Sequence, residues 1–150
     1  MGNAAARRLV FRLGGVGFIL DLSCVVEIRD QIVDLLDSTY RDLDAGIVGA
    51  LDFRHTWIPA VDPSIRFDLR SVIPLSAKTA LVLNSSEGNW ALLVDQAEEI
   101  SPANKFQPCE MPPIFRVAVS NYFSQIVLLE NEPLVLFEPE RFYGAPRLAS

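Results

Sequence analysis

Two stretches of this 150-residue chain are written to one plan, and that repetition narrows the folds open to it more than any other feature. Leu9 to Leu13 and Phe18 to Leu22 are β-prone runs parted by Gly14-Gly15-Val16-Gly17, the signature of a hairpin. Ala80 to Leu83 and Trp90 to Val94 form a second such pair around Asn84-Ser85-Ser86-Glu87-Gly88-Asn89. Each second run meets an aspartate, Asp21 or Asp95, and Glu-Ile follows soon after, as Glu27-Ile28 and Glu99-Ile100. Further on, Trp57-Ile58-Pro59-Ala60-Val61-Asp62-Pro63 is echoed by Glu132-Pro133-Leu134-Val135-Leu136-Phe137-Glu138-Pro139. The spacing is 72 residues from Ile28 to Ile100, 74 from Pro59 to Pro133 and 76 from Pro63 to Pro139. A slow drift of that kind is what loop insertions produce, so the pattern predicts an internal duplication.

Ten prolines and eight glycines break the chain often, so its elements should be short. The best helix candidate is Gln31 to Tyr40, where Ile32, Leu35 and Leu36 share a face. Asp62-Pro63 and Glu138-Pro139 pair an acidic cap with proline, a favoured start for a helical turn. Asp68 to Lys78 has the mixed composition of a connector, and Ser101 to Pro113, with four prolines, is expected to be an extended loop over one lobe. Two lobes of four or five strands each predict a pair of small barrels. A lobe of roughly 70 residues buries little surface alone, so the two should share an apolar seam with a groove along it.

The remaining chemistry is mostly exclusion. Half the residues are hydrophobic and 21% charged, a globular composition. A net charge of −6 and a pI of about 4.7 leave no basic face for nucleic acid or an anionic membrane. No apolar run nears the roughly 20 residues of a membrane span, and MGNAAARRLVF has no secretory-signal character. Cys24 and Cys109 lack CxxC spacing and are expected as free thiols in a reducing cytosol. His55 is expected on a turn or rim, and Gly14-Gly15-Val16-Gly17 leads into a strand where a dinucleotide loop demands a helix. The carboxylates Asp21, Glu27, Asp52, Asp62, Asp95 and Glu99 show no spacing that selects an acid/base pair, and strand-end acids are usually just solvated. No metal-ligand spacing and no cofactor motif stand out.

Arg54 and Glu27 are harder to place, because each lies in an apolar run: GIVGALDFRHTWIPAVDP for one and Cys24-Val25-Val26-Glu27-Ile28 for the other. Together they predict a partly buried structural ion pair. Losing one partner should cost about 3–5 kcal/mol if burial is complete and about 1 kcal/mol or less if the pair is exposed.

In order, these residues resemble the CheW family of chemotaxis coupling proteins. The likeness runs from the hairpin Leu9 to Leu22 through Val25-Val26-Glu27-Ile28, Gly49-Ala50-Leu51-Asp52-Phe53-Arg54-His55 and Ile58-Pro59-Ala60-Val61-Asp62. It continues through Leu92-Leu93-Val94-Asp95, Glu99-Ile100 and Leu136, and covers roughly residues 8 to 143. The resemblance implies a mainly β fold of two small SH3-like five-stranded barrels packed together with few short helices. It implies one such domain over residues 1–150, with 1–7 and 144–150 as tails. It also implies a cytoplasmic, non-enzymatic adaptor between chemoreceptor tips and the regulatory domain of a CheA-type histidine kinase, with no cofactor and no membrane insertion. Glu27, Ile28, Gly49, Arg54 and Val94 would line or support the groove for a receptor helical hairpin. Asp52 stands where the family has asparagine, His55 where it has glycine, and Pro63 where it has leucine, and Ser38 to Ala45 is unusually acidic. These departures suit a divergent coupler in an alternative chemosensory system. The competing classes are a ligand- or nucleic-acid-binding small barrel and a carboxylate-based hydrolase.

Overall fold

The β-prone runs become strands buried on both sides. In the computed structural model, which describes residues 6–64, 69, 71, 73–109 and 125–140, twelve strands form two six-stranded sheets. They are β1 (Arg7–Leu13), β2 (Val16–Asp21), β3 (Val25–Arg29), β4 (Leu36–Asp37), β5 (Ile47–Phe53), β6 (Thr56–Val61), β7 (Thr79–Ser85), β8 (Gly88–Val94), β9 (Gln96–Pro102), β10 (Gln107–Cys109), β11 (Ile126–Leu129) and β12 (Glu132–Leu136). One sheet runs β10-β11-β12-β2-β1-β9 and the other β4-β5-β6-β8-β7-β3. The sixth strand of each, β4 or β10, is an edge piece of two or three residues beyond the five expected.

The orders repeat when β1 to β6 are matched with β7 to β12, but the halves are interleaved. Hairpin β1–β2 sits in the sheet built by β9 to β12, and β7–β8 in the sheet built by β3 to β6. Each hairpin joins its host through a parallel pairing, β2 with β12 and β8 with β6. The register repeats as well: Glu27 faces Val82 on one side and Glu99 faces Val10 on the other, and both pairings carry a bulge.

Alternation explains why the central runs are continuously apolar. Leu9, Phe11, Leu13, Phe18, Leu20, Leu81, Leu83, Trp90, Leu92 and Val94 point into one core shared by the sheets. Their neighbours Val10 and Ile19 fill the interior of one barrel, and Ala80, Val82, Ala91 and Leu93 that of the other. The shared core holds the largest buried side chains, Trp90, Phe11 and Phe18, with the two phenylalanine rings stacked at 5.3 Å.

Two expectations about local structure are corrected. Gln31 to Tyr40 is not a helix: Gln31 is left-handed (φ 54°), followed by a 3₁₀ turn at Ile32–Asp34, strand β4 and a second 3₁₀ turn at Ser38–Tyr40. The open edge of β5 captures the segment, since the Asp52 N–H donates to the Leu35 carbonyl at 2.8 Å and Leu36 and Asp37 pair with Leu51 and Ala50. The Asp37 carboxylate then accepts the Thr39 N–H, a local bond that competes with a helix. Likewise Ser101 to Cys109 is not a loop, because it completes β9, turns at Ala103–Lys105 and forms β10; residues 110–113 lie outside the described set. Of the tails expected over 1–7 and 144–150, only Ala6 and Arg7 are described: the Ala6 carbonyl accepts from the Ala103 N–H at 3.0 Å and Arg7 already belongs to β1. Asp62 does cap a turn, accepting from the Ser64 N–H at 3.0 Å and its hydroxyl at 2.6 Å.

Candidate partner-binding site

Glu27 lies at the bulge in β3, with its carboxylate partly buried. Arg54 arrives from the β5–β6 hairpin, whose two-residue turn, Arg54-His55, holds both residues at positive φ (50° and 67°). That is a primed hairpin turn made without glycine. The Arg54 guanidinium lies 4.7 Å from the Phe53 ring centre, so an aromatic face supports part of its length. Its Nη2 is 3.8 Å from Glu27 Oε1, and the side chain is 66% exposed.

Glu27 has a closer partner. Arg29, two residues along the strand, donates from Nη1 to Glu27 Oε2 at 2.8 Å. The expected partly buried Glu27–Arg54 pair holds only on one side: the groups approach to 3.8 Å and Glu27 is 28% exposed, but Arg54 is mostly in water. Hairpin tips have no layer above them, so a long side chain there stays wet.

The five residues proposed for the groove separate into two kinds. Glu27, Ile28 and Arg54 reach the surface, with Ile28 38% exposed beside the shared seam, opposite Leu81. Gly49 and Val94 are buried and can act only through what they support. A Cβ at Gly49 would stand 2.8 Å from the Asp37 carbonyl oxygen, so glycine there lets β4 lie against β5. Val94 is part of the shared core.

Among the described residues the buried ion pair lies elsewhere. Lys78 Nζ contacts Asp95 Oδ1 at 2.7 Å, both nearly sealed from solvent, and Ser71 Oγ donates to the same carboxylate at 2.6 Å. The Gly14 N–H donates to its other oxygen at 2.8 Å. Asp95 thus ties the turn of one exchanged hairpin to the end of the other and to the chain linking the halves. Burial pushes this carboxyl up, but the bonds from Lys78, Ser71 and Gly14 outweigh it and hold the group below its ordinary range. Asp95 was expected to be a solvated strand-end acid. The available signal was Lys78, a lone cation directly before an apolar strand.

Among the described residues no cluster of three His, Cys, Asp or Glu could hold a metal, and no buried side-chain polar atom lacks a partner. A cleft of about 550 Å³ beside Leu20, Asp21, Cys24 and Glu138 is open and contains no histidine. Cys24 within it is a free thiol whose pKa is raised by burial and by Asp21. No helix among the described residues is long and apolar enough to cross a membrane.

A family model for the CheW-like domain matches residues 7–145. The chain belongs to the CheW-like family. No curated protein matches it. The scaffolding protein TtCheW from Thermoanaerobacter tengcongensis has the same fold, with a TM-score of 0.74 at 19% identity over 96% of this chain and 99% of that one. The two six-stranded sheets are thus the paired SH3-like barrels of a CheW-like domain. Membership supports a chemotaxis scaffold or adaptor, and the proteins of this family are non-enzymatic scaffolds.

Proposed function

We propose that this CheW-like protein works in the cytoplasm as a coupler between chemoreceptor tips and the regulatory domain of a CheA-type histidine kinase. The observation that carries the reading is that strand β3 presents a half-exposed Ile28 next to Glu27, whose carboxylate lies 3.8 Å from the exposed Arg54. A receptor helical hairpin would lay an apolar stripe on Ile28 and satisfy Glu27 and Arg54 with polar side chains at its margin. Kinase barrels of the same design would dock on the ends of the strands. Gly49 and Val94 contribute by holding β4 and the seam in place.

Co-sedimentation with receptor signalling fragments and kinase tests the proposal. The wild-type chain should join the pelleted assembly and raise kinase activity in it, whereas Ile28→Glu should lose the receptor and keep the kinase. Failure of the wild-type chain to enter any such assembly would leave the fold and remove the function.

A further inference from the structure

Residues 30–45 carry five aspartates (Asp30, Asp34, Asp37, Asp42, Asp44) and one arginine, Arg41. Their net charge of −4 is most of the −6 of the whole chain. Ion pairs involve Asp21, Glu27, Asp95, Glu98 and Glu132, so none of the five is matched by a cation among the described residues. The segment runs along the open edge of β5, tied at Leu35–Asp52, Asp37–Ala50 and Asp42–Ile47.

Exposed apolar side chains lie on the same strip. Tyr40 (39% exposed) and Trp57 (47% exposed) have ring centres 6.2 Å apart, and Leu43 is more open still. Trp57 sits on β6 directly opposite Asp52, a carboxylate with no cation of its own among the described residues. A half-exposed tryptophan beside a tyrosine is the residue type and arrangement that anchors interfaces, and aromatic faces attract cations. Uncompensated carboxylates around that platform add a field that draws positive charge and repels negative.

We propose that Tyr40 and Trp57, flanked by Asp37 and Asp52 at one end of the acidic strip that continues through Asp42 and Asp44, form a second docking surface for a basic, apolar-studded segment of a partner protein. Apolar side chains of the segment cover the two rings, and its lysines or arginines meet the aspartates. None of these residues belongs to the Glu27–Ile28–Arg54 edge, so the surface stands whether or not that edge binds a receptor.

Titration calorimetry with an octapeptide of alternating leucine and arginine tests it, with octa-arginine and a leucine–glutamate octapeptide as controls. The first should bind one-to-one and weaken with salt, and the glutamate peptide should not bind. Trp57→Ser and Asp52→Asn should each weaken binding about fivefold or more. Tyr40→Ser serves in place of Trp57→Ser if circular dichroism shows that variant unfolded. Equal affinity for octa-arginine, or binding unaffected by the three substitutions, would reduce the face to diffuse charge and overturn the proposal. So would concentration-dependent self-association abolished by Trp57→Ser, since the patch would then be covered by a second copy.

Discussion

At the scale of single residues, two acid–base contacts that look alike in sequence have opposite weight. The Glu27–Arg54 contact is long and its arginine is exposed, so Arg54→Ala should shift stability by about 1 kcal/mol or less while weakening partner binding. An unchanged melting temperature with reduced co-sedimentation would bear this out. Lys78 and Asp95 are sealed, and removing one strands a charge in the interior. Lys78→Ala should cost about 3–5 kcal/mol, measured by urea unfolding. Asp95 also sets a pH dependence. Its carboxyl is more acidic folded than unfolded, so its contribution is fully present above the unfolded value near 3.9 and fades as pH falls through the lower folded value. Asp95→Asn should remove that share of the acid lability, visible as a flatter stability profile below about pH 4.

At the scale of elements, turns and edges carry the sequence's local costs. His55 holds a φ of 67° that glycine adopts freely, so His55→Gly should raise stability by roughly 1 kcal/mol. The quasi-equivalent β11–β12 turn repeats the device with Glu130 and Asn131 at φ 50° and 71°. Gly49 does the reverse, since any side chain there meets backbone. Gly49→Ala should lift β4 off β5 and cost about 1–3 kcal/mol by thermal melting. In the other barrel Arg12 lies across Gly17, gripping Glu132 with a bidentate fork and Glu98 through Nε at 2.8 Å. That fork holds β1, β9 and β12 together at the barrel's open end, and it lowers the Glu132 carboxyl pKa.

At the scale of the whole molecule, hairpin exchange makes the two halves one cooperative unit. Neither barrel can be completed by its own half of the chain, because each lacks the central hairpin that the other supplies. The shared core around Trp90, Phe11 and Phe18 should therefore melt in one step. In a Trp57→Phe background, Trp90 fluorescence and far-ultraviolet circular dichroism should give coincident transitions. Two separated transitions would mean that the barrels unfold independently.

The repeated hairpins, the Glu-Ile pairs and the seam were legible in the chain because strand burial writes itself as apolar runs and duplication as a recurring offset. Glu27 and Arg54 were legible too, as charges set among apolar neighbours. Residues 31–40 misled for a physical reason: their helical periodicity is weak, and the unpaired edge of β5 offers backbone partners a helix cannot match. Asp95 misled because nothing local distinguishes a solvated strand-end acid from one folded under a distant lysine. Local sequence determined where strands begin, turn and face inward. Which hairpin enters which sheet, and hence which charges are sealed and which left in water, was decided only when the two halves closed around a single core. That choice depends on burying both faces of β1, β2, β7 and β8 at once, which no segment can do alone.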